Sequence, residues 1–233
     1  MKNCFFSLIT FLLLTTLVMA QDKENRNVSG FTAVKVRSGI DLYLTQGGSE
    51  KLTLETKGFD SKEIVAEVKN GVLELYIDRS GWGGWNWGNN RYVKAYLSFK
   101  QLNKIIASGG SDVFSDGKVK FDKLLLDVSG GADVKMDLDA NELNVETSGG
   151  SDAILKGTVR TLNAVSSGGS DLKAADLQAD ICRVSASGGS DAYVRAEKEI
   201  AIVSSGGSDV YWSGNGKLIG KQSSGGSDVH RRN

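Results

Sequence analysis

From Asn103 onward, apolar and polar residues alternate in columns set by one recurring pentapeptide. "SGGSD" begins at Ser108, Ser148, Ser167, Ser187, Ser205 and Ser224, and "SGGAD" begins at Ser129. Three residues before each first Ser stand Ile105, Leu126, Val145, Ala164, Val184, Ile202 and Lys221. Five before stand Asn103, Leu124, Leu143, Leu162, Cys182, Ile200 and Ile219, while the column between them is mostly polar. Alternation with a period of two is the pattern of a half-buried strand. Beyond the motif, Val113, Val134, Ala153, Leu172, Ala192, Val210 and Val229 continue an inward column. The motif aspartates must then face outward, as must Phe114, Lys135, Ile154, Lys173, Tyr193, Tyr211 and His230, two residues further on.

The motif aspartates Asp112, Asp133, Asp152, Asp171, Asp191, Asp209 and Asp228 are separated by 21, 19, 19, 20, 18 and 19 residues. A near-constant period of this size marks a solenoid. Each repeat reads as strand, Gly-Gly corner, strand and a shorter return, with no helix-length segment between copies. The pattern predicts an all-β fold: a single-stranded parallel β-helix with coils of about 19 residues. Right-handed coils follow the handedness of parallel crossovers. Glycine suits the corner because it takes positive φ without a Cβ clash. Lys221 and Arg231 in the fading core columns predict a polar C-terminal cap.

Residues 31–106 repeat less regularly. Strands are expected at Phe31–Val36, Leu52–Thr56, Ile64–Lys69, Val72–Ile77 and Tyr92–Phe99, with a hairpin turn at "KNGV". "VRSGIDLYLTQ" echoes the motif through Ser38, Gly39 and Asp41. These residues read as larger, irregular coils of the same stack, with a separate β-domain as the alternative. Residues 107–233 are the regular repeats and their cap. Residues 21–30 read as a linker.

The first twenty residues combine Lys2, an apolar run from Phe5 to Val18, and small residues Val18 and Ala20 before Gln21. This is the pattern of a secretory signal peptide and predicts an exported protein, periplasmic, outer-membrane-associated or extracellular. Cys4 precedes the apolar run and so is not placed as a lipoprotein cysteine. No other long apolar run follows, so the mature chain is expected to have no transmembrane segment. Without Lys2 the Lys and Arg count falls from 28 to 27, against 28 Asp and Glu. That balance argues against nucleic acid as a partner. Cys182 is then the sole cysteine, so no intramolecular disulfide can form. The 29 glycines and absence of proline fit the all-β reading.

Candidate chemistry is sparse. His230 is the only histidine, which leaves no Ser-His-Asp or Cys-His system and no histidine cluster for zinc. The Gly-Gly pairs lack the Lys-Ser/Thr and helix of a phosphate loop. No catalytic residue, metal site or cofactor is assigned. The aspartate column invites comparison with calcium-binding β-rolls, but calcium takes six to eight oxygens. The column reads instead as a structural corner, with carboxylates accepting from Ser or backbone N–H groups and weak cation binding at most. Aspartates about 4.8 Å apart repel by roughly 0.9 kcal/mol in water, and Lys135 and Lys173 lie close enough to offset part of this. The repeat is broken once, by "SGWGGWNWGNNRY" at Ser80–Tyr92. Trp82, Trp85 and Trp87 there, with Tyr193 and Tyr211 on the outward column, are candidate ligand contacts. Packing over the solenoid or in an oligomer contact is the alternative for the tryptophans.

"FTAVKVRSGIDLYLTQGGSEKLTLET", "NGVLELYI", "LNKIIASGGSDV" and the serial SGGSD motifs together resemble the head GIN domain family of auto-transporter adhesins, common in Bacteroidetes. The resemblance covers Phe31 to Val229. It implies an exported bacterial β-helix acting at the cell surface or in the envelope, with no catalytic residues to carry over. No coiled-coil stalk or C-terminal anchor follows the last repeat, so a stand-alone binding protein is expected. The function expected is non-catalytic recognition of a glycan or a surface protein, and an oligomer is compatible with it. The alternatives are a polysaccharide-modifying β-helix enzyme and a purely structural envelope protein.

Overall fold

The computed structural model describes residues 22–80 and 91–232. The less regular half contributes β1 (Asp22–Arg26), β2 (Ala33–Val36), β3 (Ile40–Gln46), β4 (Lys51–Lys57), a 3-10 turn at Ser61–Glu63, β5 (Ile64–Lys69), β6 (Val72–Ile77) and β7 (Tyr92–Phe99). The repeats contribute β8 (Lys104–Ser108), β9 (Asp112–Ser129), β10 (Asp133–Ser148), β11 (Asp152–Gly168), β12 (Asp171–Gly188), β13 (Asp191–Gly206), β14 (Asp209–Ser213), β15 (Lys217–Gly225) and β16 (Asp228–Arg231). All sixteen belong to one sheet.

Each repeat stacks on the last in parallel. The motif aspartates are direct register partners from β9 through β14 to β16. This is the parallel β-solenoid expected from the periodic columns. Unequal coil lengths are absorbed away from the corners. The 19-residue coils of β10 and β11 pair without a register shift, whereas a shift appears where the 21-residue coil of β9 meets β10. Shifts also appear after the corner at β11–β12, further along the coil at β12–β13, and at β13–β15 between Ile200 and Ala201. A bulge accommodates an extra residue at the cost of a few ladder bonds. Slipping the corner itself would turn every inward side chain outward.

The core is the set of inward columns. Leu124, Leu143, Leu162, Cys182 and Ile200 stack fully buried, as do Val113, Val134, Ala153, Leu172, Ala192 and Val210 on the following strand. Burial pushes the Cys182 thiol up to about 12, so it behaves as a small apolar side chain. At the C-terminal end, Lys221 is exposed and the Arg231 guanidinium lies 4.6 Å from the Trp212 ring centroid. The same last coil also exposes Leu218 and Ile219, so Ile219 leaves the inward column that its spacing predicted.

The less regular half continues the same sheet, but in a different order from the chain. β2 lies between β6 and β8, and β3 lies between β7 and β9. The coil made first in sequence is therefore sandwiched between two made later. Ser38 (φ 76°) and Gly39 (φ 77°) take the Gly-Gly place at its corner. Beyond it the pairing turns antiparallel: β4 on β7, β5 on β6, and β1 on β4. Asn70 (φ 51°) and Gly71 (φ 77°) make the β5–β6 hairpin turn, as "KNGV" predicts. The stretch expected as a linker contains β1. Its polar residues carry no apolar signal, but they supply ladder partners to β4, and Thr53 donates to Asn25 Oδ1 at 2.8 Å. An antiparallel pair ends the parallel stack at this side and covers the β7 edge.

Gly157 is the tightest point between rungs. Its φ is 118°, and a Cβ there would sit 2.0 Å from the Leu138 carbonyl oxygen. Gly117 also has positive φ (82°), but a Cβ there would meet nothing within 4 Å. Gly117→Ala is therefore expected to cost about 1 kcal/mol of backbone strain, whereas Gly157→Ala should cost about 3 kcal/mol or more. Thermal melts of the two variants check this. Equal midpoints would show that the rung can relax around residue 157.

Candidate functional site

The largest organised surface is the outward face of the strands that follow the corners. It carries two columns. In the first, Asp41 stands level with the seven motif aspartates. In the second, Tyr96, Tyr43, Phe114, Lys135, Ile154, Lys173, Tyr193, Tyr211 and His230 are consecutive register partners across nine strands. The repeats reveal the later members. Tyr43 could have been found from the motif echo, because it lies two residues after Asp41. Tyr96 has no such signal, since β7 joins this face only through the stack order.

The aspartates do not bond their own serines. Asp112, Asp133 and Asp209 reach along the stack to the backbone of the next rung, whereas the N–H groups of Asp171, Asp191 and Asp209 donate instead to the Ser151, Ser170 and Ser190 carbonyls. Asp133 N–H donates to Asp112 Oδ1 at 3.3 Å, Asp152 N–H to Asp133 Oδ1 at 3.2 Å, and Asp228 N–H to Asp209 Oδ1 at 3.0 Å. Lys173 bridges Asp152 at 2.9 Å and Asp171 at 3.2 Å, which holds its ammonium above the usual lysine range. Lys135 forms no ion pair among the described residues. Partial burial raises Asp112, despite the Asp133 N–H it accepts, and also raises Asp41.

The serines do something the sequence columns did not suggest. The second serine of the motif points inward. Ser208 Oγ donates to the Ala186 carbonyl at 3.0 Å and the Ser205 carbonyl at 2.9 Å, alternative acceptors for its single proton. Ser190 repeats this arrangement with Ser166 and Ser187. Thr147 and Ser166, one residue before the first Ser, are also buried, with Thr147 Oγ1 2.9 Å from Ser166 Oγ. The corners that carry these residues thus enclose a small polar ladder beside an apolar core, whereas the Ser129 corner has Val128 and Ala132 in the equivalent places. The signal was present as the Ser at the fourth position of six of the seven motifs, with Ala132 in the other, but a Ser next to Gly-Gly reads as a turn residue.

The aromatic column stacks on itself. Tyr193 and Tyr211 have centroids 4.8 Å apart and planes 8° apart, and His230 follows at 4.9 Å. Tyr43 stacks between Tyr96 and Phe114, at 5.1 Å to each. Rings at strand spacing cover each other's faces. The Arg232 guanidinium lies 4.4 Å from the Tyr211 centroid. Ring edges and phenol hydroxyls therefore make up much of what Tyr193 and Tyr211 offer a partner. At the end of the column, Asp209, Asp228 and His230 bring one potential ligand atom each within 4.8 Å of one another. Two carboxylates and an imidazole fall short of the oxygen shell that calcium takes. Trp82, Trp85 and Trp87 lie outside the described residues, as does the apolar segment at residues 1–20.

The profile of one protein family, described as "Putative auto-transporter adhesin, head GIN domain", matches residues 30–216. The chain belongs to this family. Its solenoid is similar to that of a "putative adhesin" from Bacteroides fragilis, with TM-score 0.81 and 22% identity, covering 92% of this chain and 98% of that one. A "putative adhesin" from Parabacteroides distasonis matches with TM-score 0.72 and 17% identity over 91% and 97% of the two chains. A "Putative lipid binding protein" from the same organism matches with TM-score 0.64 and 17% identity over 93% and 98%. At these identities the likeness is one of fold. No curated protein matches the sequence. The head GIN assignment accounts for the serial corners, and no helix among the described residues is long and apolar enough to cross a membrane.

Two substitutions separate the inward and outward halves of this head GIN corner. Ser208→Ala is expected to lower stability by about 1 to 2 kcal/mol, because it deletes a donor among buried carbonyls. Asp112→Asn is expected to raise stability at pH 7, since the carboxylate is raised by burial and the amide oxygen can still accept from Asp133. The sign follows from linkage: wild-type protein gains stability as pH falls through the raised Asp112 value, so the advantage of Asn should vanish in acid. Thermal melts of both variants at pH 7 and pH 3.5 check these outcomes.

Proposed function

We propose that this protein is a non-catalytic, exported binding protein of the adhesin type, which recognises a glycan or protein on a cell surface through the outward face described above. One observation carries the reading: that face is a register-locked array in which a column of carboxylates runs beside a column of aromatic and lysine side chains, interrupted only by Ile154 among the described residues. An array of this kind suits a long ligand met at many weak points. Family membership supports the adhesin class. The signal-peptide pattern at residues 1–20 supports export.

The absence of turnover is supported by the carboxylates themselves. A catalytic pair needs two acids in unlike environments. Here the two acids raised by burial, Asp41 and Asp112, are shifted in the same direction, while Asp133 and Asp209 are held by the N–H of the next rung and Asp152 and Asp171 by Lys173. Trp82, Trp85 and Trp87 remain candidate contacts on the strength of their clustering in a Gly/Asn-rich segment.

Adherence of purified protein to immobilised bacterial envelopes and to a glycan panel tests the reading. Two variants are compared: Tyr193→Ser with Tyr211→Ser, and Trp82→Ala with Trp85→Ala and Trp87→Ala. Loss of roughly tenfold or more in either folded variant is expected, equivalent to about 1.4 kcal/mol. Undiminished adherence in both would move the contact surface elsewhere, and no adherence by wild type would overturn the reading.

A further inference from the structure

A second face carries its own site. The short return of each coil forms the outer wall between the two main strand stacks, and two adjoining depressions lie along it. One, of about 680 Å³, is lined by residues including Gln46, Lys100, Gln101, Asn103, Lys120 and Phe121. The other, of about 540 Å³, shares Lys120 and Phe121 and continues past Asn141, Thr158, Arg160 and Gln178. Together they make a trough that runs across the rungs.

The charges in this trough are unequally satisfied. Its carboxylates are already held. Asp122 accepts from Asn141 Nδ2 at 2.7 Å, Asp180 pairs with Lys198 at 3.0 Å, and Asp139 accepts from Thr158 Oγ1 at 2.7 Å and Lys118 Nζ at 3.1 Å. Lys100, Lys120 and Arg160 form no ion pair among the described residues. Glu142, which feels the field of Arg160, is itself held by Lys123 at 3.0 Å and Asn144 at 3.1 Å. Three cations therefore stand free among engaged acids. The walls between them are amides and hydroxyls: Gln101, Asn103, Thr158 and Gln178. Gln46 is turned to the backbone, donating to the Lys120 carbonyl at 2.9 Å and accepting from Lys120 N–H at 2.8 Å, which fixes the strand that carries Lys120.

We infer that this trough binds a linear saccharide bearing carboxylates, a uronic-acid polymer laid across the rungs. Amide and hydroxyl walls match sugar hydroxyls, and the three free cations match carboxylates on successive residues. An acidic peptide could meet the same cations and pair its backbone with the amides. A uronate chain, however, sets hydroxyls beside every carboxylate, which matches the amide and hydroxyl groups standing between the cations. The saccharide is therefore favoured, and tetraglutamate binding more tightly than the uronate would overturn it. This inference deepens the adhesin-type reading by naming a ligand class, yet it concerns a different face from the aspartate and aromatic columns.

Isothermal titration with a galacturonic acid tetramer, against the same tetramer methyl-esterified, tests it. The free acid is expected to bind, and the ester to bind at least about tenfold more weakly, because charge-assisted bonds are lost. Lys100→Gln with Lys120→Gln and Arg160→Gln should weaken the free acid by a similar factor, with an unchanged melting temperature because all three side chains are solvent-facing. Affinity should also fall with added salt. Equal binding of acid and ester, retained binding in the triple variant, or no binding of the acid would overturn the inference. Envelope adherence of the wild-type protein, read beside its uronate binding, keeps the two proposals apart. Adherence without uronate binding removes only this site, whereas uronate binding without adherence removes only the adhesin-type reading.

Discussion

Each corner of this solenoid has to sit directly on the corner below it. A Cβ at Gly206 would stand 2.9 Å from the Gly188 carbonyl oxygen, and one at Gly188 would stand 3.1 Å from Gly168. Glycine is needed there both for positive φ and for this closeness. Once the corners are in contact, register is settled for the whole coil. The inward columns meet their copies, the ladder bonds form, and coil-length differences have to be taken up between the corners, where the bulges are found. The regular surfaces follow from the same constraint.

The corner also divides polar groups into two populations. The inward serine hydroxyls lie in an enclosed space, where an unmet donor is costly, and those of Ser151, Ser170, Ser190, Ser208 and Ser227 each find a carbonyl. The outward aspartates lie at about 4.8 Å spacing, where repulsion is weakened by solvent, by the N–H of the next rung and, at Asp152 and Asp171, by Lys173. Calcium is not required to explain the column. The near-identical pentapeptides nevertheless adopt two corner forms. Both glycines have positive φ at Gly109–Gly110, Gly130–Gly131 and Gly149–Gly150, whereas only the first does at Gly168, Gly188, Gly206 and Gly225. In the second form Gly189 and Gly207 donate to the glycine carbonyl one rung below.

Stacking turns small repeated units into extended surfaces, and the two faces considered for binding differ because of what is stacked. On the first, like groups stand on like groups, so aromatic faces are spent on one another and edges project. On the second, the returns bring unlike groups together, so charges are paired unevenly and a trough with free cations results. Both suit a long ligand, and neither resembles the enclosed pocket of an enzyme acting on a small molecule.

The period of the motif and the alternation of Leu, Val and Ile around it were enough to determine the solenoid, its inward columns and the outward placement of the aspartates. Local pattern decides these because each coil repeats the same choice of buried and exposed positions. The interleaving of β2 and β3 between later coils was beyond local pattern, since Ile40, Leu42 and Leu44 would be buried equally well in several stack orders. So was the pairing of β1, whose polar residues are held by the backbone ladder of β4. The aromatic column was partly legible at Tyr193 and Tyr211, but its extension to Tyr96 and its edge-on presentation depend on which strand neighbours which. The trough was not legible at all, because Gln46, Lys100, Lys120 and Arg160 are distant in sequence and only the packing of coil on coil brings them to one wall.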